Sequence, residues 1–121
     1  MHTPGIQLNE DGLNINITEC DSMEFWRKNK NSYVIVPMLH TDSKDMLRAI
    51  FLQHFPNKIE QWAVLNVRVH FEINTAPGNV YNLIFDVSEY KLIDSVTRLV
   101  TNQYTFEIIM RGALVIRANV S

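Results

Sequence analysis

From Tyr104 to Val120 the apolar residues keep one parity. Tyr104, Phe106, Ile108, Met110, Leu114, Ile116, Ala118 and Val120 share it, with Gly112 in the same series. Alternation with period two sets one side of an extended chain against a core. A straight strand over this stretch would span about 56 Å at roughly 3.3 Å per residue. A compact domain of 121 residues has a radius of gyration of about 14 Å, hence a diameter of about 35 Å. The run must therefore bend or bulge at Gly112, or its end must leave the body and pair with another chain.

The rest of the chain is that of a single globular unit. Its 46% apolar and 20% charged residues exclude wholesale disorder. The length is enough to bury a core. Eleven Lys and Arg against 13 Asp and Glu leave a net charge of −2, whereas dedicated nucleic-acid binders are usually basic. No apolar run reaches the roughly 20 residues of a membrane helix, so no transmembrane segment is expected. The single cysteine, Cys20, allows neither an internal disulfide nor a cysteine-based zinc site. Residues 1–12 lack the features of a signal peptide. The expected location is the cytoplasm, or a host cytoplasm for a viral protein. The expected organisation is a flexible arm over 1–12 and one domain over 13–121.

Several elements follow from periodicity. Leu13, Ile15 and Ile17 alternate with polar residues and predict a short strand. Ser22–Ser32 is polar and basic and predicts a loop or short helix. Tyr33–Val36 predicts a buried strand stopped by Pro37. Thr41, Asp42 and Ser43 offer a helix cap. Met46, Leu47, Ile50 and Phe51 then gather on one helical face, ahead of Pro56. Leu65, Val67, Val69, Phe71 and Ile73 alternate with Asn66, Arg68, His70 and Glu72. After the turn signal at 75–79, Tyr81, Leu83, Phe85 and Val87 resume the alternation, which predicts a β-hairpin. Over 89–102, Leu92, Ile93, Val96, Leu99 and Val100 fall within an arc of roughly 120° and predict a second helix behind a Ser88 cap.

From residue 33 the order is strand, helix, strand, strand, helix, strand. The predicted class is α+β: an antiparallel sheet with two helices on one face, in the ferredoxin-like βαββαβ order, plus an N-terminal strand. The alternative is a cystatin-like curled sheet around one helix, with 89–102 as strand. Element order alone carries no function.

Candidate chemistry is sparse. His2, His40, His54 and His70 show no i,i+3 or i,i+4 pairing, so no metal motif and no cofactor is predicted. His54 reads as a half-buried packing residue, and His70 as a solvated or interfacial one. Cys20 would need a neighbouring His to act as a nucleophile and reads as a small apolar residue. Acid pairs such as Asp42/Asp45 and Asp86/Glu89 match the bias of helix starts. Phe25 and Trp26 precede Arg27, Lys28 and Lys30. This one basic, aromatic cluster could hold phosphates or bases. Its three cations are few, and a solvated loop with Trp26 tucked inward is the simpler reading.

Val80, Ile84, Ile109 and Val115 lie at the parity opposite to the core set, among charges. Such a face resembles a protein interface. The reading is a non-enzymatic interaction or self-assembly protein, of the kind viral or phage structural and accessory proteins provide. Its interface residues are Arg68, His70, Ile109, Arg111, Val115 and Arg117, and its partner is a second copy or another protein. One alternative is a small-ligand binder or simple enzyme with a pocket lined by His54, His70 and Glu72. The other is a weak RNA- or phosphate-binding module using Trp26, Arg27, Lys28 and Lys30.

Overall fold

The alternations flanking Pro77 form the longest hairpin of the protein. β4 (Ile59–Thr75) and β5 (Asn79–Ile93) pair antiparallel, with Thr75 opposite Asn79 and Val69 opposite Phe85. The computed structural model describes residues 5–29, 32–55, 59–76, 78–93, 96–102, 104–110 and 114–120. Before the hairpin come β1 (Gly5–Asn9), β2 (Gly12–Asn29), β3 (Ser32–Leu39) and the one helix among the described residues, α1 (Thr41–His54). After it come β6 (Val96–Val100), β7 (Tyr104–Ile109) and β8 (Val115–Val120).

The strands close into a ring. β2 pairs with β3, then β8, β7, β6, β5 and β4 follow in turn, and β4 pairs back onto β2. Every contact in this ring of seven is antiparallel except β2–β4, which is parallel. Cys20 carries the junction: its ladder partners are Leu39 of β3 and Thr75 of β4. One residue can have two ladder partners only on opposite edges, so β3 and β4 flank β2 on different sides. β1 pairs with Leu13–Asn16 across from β4, and so shares an edge of β2 with β3.

Side chains of one parity fill the interior. Leu13, Ile15, Ile17, Ile35, Val69, Phe71, Ile73, Leu99, Phe106, Ile108, Ile116 and Ala118 are buried together. Phe85 bridges the Phe71 and Phe106 rings, with centroid separations of 6.3 and 3.7 Å. α1 closes one end of this interior with a single stripe, Ser43, Leu47 and Phe51, continued by Phe55, whose ring lies 5.1 Å from Phe51 and 5.3 Å from Tyr90. Arg48 Nε donates to the Met110 carbonyl at 2.9 Å and His54 Nε2 donates to the Ile6 carbonyl at 3.1 Å. The helix thus packs beside β1.

The predicted hairpin, the helix and the strand beginning at Leu13 are present. The α+β class, with its ferredoxin-like order, is not. One ring of strands with a single helix replaces it, and a cystatin-like curled sheet lacks the closure as well. The second helix over 89–102 is absent because β5 changes face between Val87 and Tyr90 and then reverses into β6. The parity reset and the tight reversal generate spacings of three and four that imitate a helical arc. Ser22–Asn29 is not a loop but the second half of β2. Pro37 does not stop β3, whose pairing with β8 has already ended at Ile35. A proline is tolerated on a strand with a free side. The expected arm over 1–12 contains β1, and His40, not a residue of 41–43, is the helix N-cap. Met46 is exposed rather than packed. The one-parity run at 104–120 fits the globule by folding back as the β7–β8 hairpin.

Gly12 shows why the β1–β2 turn needs glycine. Its φ is +124° and an added Cβ would lie 2.1 Å from the Arg68 carbonyl oxygen. Gly12→Ala is expected to cost more than about 2 kcal/mol through strain and displacement of β4. Phe51→Ala, which empties the helix stripe, is expected to cost about 3–5 kcal/mol. Urea unfolding midpoints at constant m-value check both.

Candidate binding surface at the open end of the barrel

Two strands outrun their neighbours at the end of the ring opposite α1. β2 leaves β4 at Cys20 and continues beside β3 alone. β5 starts at Asn79, but β6 accompanies it only from Glu89. Among the described residues, the second edges of 22–29 and of 79–87 therefore carry no strand. A strand edge with no neighbouring strand can template pairing with another chain.

The side chains here are apolar. Phe25 stands opposite Ile35 in the ladder and shares its inward parity. Yet Phe25 is 57% exposed where Ile35 is 2% exposed, because the barrel wall that would cover it is missing. Met23, Phe25, Ile35, Tyr81 and Leu83 line a groove of about 300 Å³ at this mouth. Trp26, on the other face of β2, is 49% exposed. Val80 and Ile84 are exposed on the outer face of β5. Exposing several large apolar groups on one region is uncommon for a solitary soluble protein.

The outer face of β1, β2, β4 and β5 is different. Cross-strand rows run Gln7–Asn14–His70–Ile84 and Gly5–Asn16–Glu72–Asn82. His70 lies between two amides, with Nδ1 3.3 Å from Asn14 Oδ1 and Nε2 2.7 Å from Asn82 Oδ1. An imidazole N–H donates to an amide oxygen, and which ring nitrogen carries the hydrogen depends on the tautomer. Asn74 donates to Asn16 at 3.2 Å. These groups satisfy one another and form a pre-ordered polar ladder beside a shallow concavity of about 540 Å³. Arg68 pairs with Asp86 at 3.0 Å, and this hydrogen bond raises the guanidinium pKa.

The expected interface does not assemble. Arg68 and His70 lie on β4, whereas Ile109, Val115 and Arg117 lie on β7 and β8, three strands away around the ring in either direction. Arg111 lies outside the described residues. Arg117 Nε is buried without a hydrogen-bond partner. The expected pocket does not assemble either. His54 is exposed beside Ile6, while His70 and Glu72 face outward and border the polar concavity without it. Of the basic cluster, Trp26 is exposed rather than tucked inward, Arg27 and Lys28 continue β2, and Lys30 lies outside the described residues.

No described side chains converge as a nucleophile with its base. Cys20 is 1% exposed and its Sγ donates to the Ser22 carbonyl at 2.8 Å. Among the described residues, no three His, Cys, Asp or Glu side chains gather to hold a metal ion. No helix among them is long and apolar enough to cross a membrane. Compared with family models, curated proteins and solved structures, the chain matches none.

Sequence reasoning missed Met23, Phe25, Tyr81 and Leu83 as one surface. The available signal was the alternation of Met23 and Phe25 against Glu24 and Trp26, which keeps the parity of Leu13, Ile15 and Ile17 although irregular steps on either side of Cys20 put that residue out of phase.

Desolvation pushes the Cys20 thiol above its ordinary value of 9.0, against the lowering effect of the Met38 and Ser22 backbone. The native state therefore holds this proton more tightly than the unfolded chain. Its contribution to stability is complete below pH 9.0 and is lost as pH rises through the native value. Urea titrations at rising alkaline pH are expected to show a steeper loss of stability for the wild type than for Cys20→Ala.

Proposed function

We propose that the protein is a non-enzymatic assembly module that self-associates through the open end of its barrel. The observation that carries this reading is Phe25: a residue of core parity, left mostly exposed over an apolar groove where β2 and β5 outrun their neighbouring strands. Strand addition to an exposed edge gives affinity through the main chain and specificity through alternate side-chain pockets. Here the groove supplies the side-chain pocket, and the stretch of β5 before Glu89, which β6 does not accompany, supplies the main chain.

Protein–protein association fits this end better than phosphate or RNA binding. The exposed groups are mostly apolar, and Glu24 stands close before the basic cluster on the same strand. The polar ladder around His70 lies on the outer face of β4, away from the groove.

Size-exclusion chromatography with light scattering tests the reading. Molar mass is expected to rise above that of one chain as concentration increases. Phe25→Ser is expected to weaken association about tenfold or more, equivalent to at least about 1.4 kcal/mol, with unchanged circular dichroism. A wild-type protein that stays at one-chain mass at the highest concentration overturns it.

A further inference from the structure

We propose that the edge of β5 before Glu89 pairs antiparallel with the same edge of a second copy, about a two-fold axis at Asn82. This rests on the assembly reading above and specifies its partner and register.

This stretch lacks the devices that protect an edge strand. Native proteins guard such edges with charges, prolines or bulges. Residues 79–85 contain no charged residue and no proline. The β4–β5 ladder is regular from Val87 to Asn79, so alternation is intact along it. Val80, Tyr81 and Ile84 are exposed. Among the described residues, no strand lies beyond this edge until β6 begins, with Val100 opposite Glu89. The first charge, Asp86, is already held by Arg68 at 3.0 Å. An uncharged, apolar edge is complementary to another of the same kind, and a second copy supplies one without bringing like charges together.

Geometry and chemistry then select the register. Residues directly opposite each other share a face in an antiparallel pair, so the axis passes through a residue rather than between two. With the axis on Asn82, that amide meets Asn82 of the second copy, and an amide both donates and accepts. On the outer face Val80 meets Ile84 of the second copy, twice by symmetry. On the inner face Tyr81 meets Leu83 of the second copy, also twice, so two residues that line the groove gain apolar neighbours. Ala76 of the second copy falls level with Ser88, short of β6.

Neighbouring registers fail on one count or the other. An axis on Leu83 carries Ala76 of the second copy level with Tyr90, where Leu99 of β6 already stands, and sets Val80 against Asp86. An axis on Ile84 drives the hairpin tip further into β6. An axis on Tyr81 sets Val80 against Asn82 and leaves Ile84 opposite Gly78.

Exchange of side chains on the outer face tests this pairing. V80K alone and I84E alone each set a charge opposite an apolar residue, and each is expected to weaken self-association about tenfold or more. An equimolar mixture sets the introduced ammonium opposite the introduced carboxylate and keeps the other Val80–Ile84 pair. It is expected to form heterodimers with an affinity near that of the wild type, by native mass spectrometry. Both positions are exposed in the single chain, so circular dichroism is expected to stay unchanged. Under mild oxidation N82C is expected to form a disulfide-linked dimer. I84C, out of register with its own copy, and the wild type, with Cys20 buried, are not. A mixture no tighter than its folded components, no cross-link at position 82, or one at position 84 overturns the pairing. If the wild type then still self-associates in a Phe25-dependent way, the assembly reading survives that result. A monomeric wild type removes both.

Discussion

The structure depends on one strand changing neighbours. β2 is bonded to β4 up to Cys20 and to β3 from Cys20 onward. That exchange closes seven strands into a ring without a long straight strand crossing the globule. It also explains the two ends. Where β2 is held on both edges, the interior is packed and α1 seals it. Where β2 runs on beyond β4, the wall is incomplete and Phe25 is left facing solvent.

Interior packing and surface polarity follow from the same ring. Alternation along each strand sends one parity to the shared core and the other outward. On β1, β2, β4 and β5 the outward set is Gln7, Asn14, Asn16, His70, Glu72, Asn74 and Asn82, in which His70 bonds to Asn14 and Asn82, and Asn74 to Asn16, across strands. On β6, β7 and β8 it is Arg98, Glu107 and Arg117, with Arg98 held to Glu107 at 3.3 Å. The two faces point away from each other. An interface drawn from Arg68, His70 and Arg117 together has no single surface to occupy.

Much of this was legible in the residues, and the failures have identifiable causes. The β4–β5 hairpin and α1 could be read because each keeps an unbroken period between clear stop signals. The region from Ser88 to Val100 could not, since a change of face within β5 and a tight reversal mimic helical spacing. Residues 22–29 looked like a loop because irregular steps on either side of Cys20 interrupt the alternation begun at Leu13 and because charged residues are interspersed with Phe25 and Trp26. The candidate surface stayed hidden for the same reason. Phe25 and Trp26 were visible as aromatics, but their role depends on an edge that only the pairing of Cys20 with both Leu39 and Thr75 defines. Ring closure is a long-range property, and local periodicity does not encode it.

The parallel contact between β2 and β4 has a kinetic consequence. It joins residues 13–20 to residues 69–75, so more than half a hundred residues must be ordered or looped out before it forms. Local hairpins such as β4–β5 and β7–β8 need no such closure and form early, while contacts distant in sequence slow the search. Until that closure, the β4-facing side of β2 is bare along its whole length rather than only beyond Cys20. Folding intermediates of this protein carry a longer adhesive strand than the finished barrel does, and refolding at high concentration is the condition in which they misassemble.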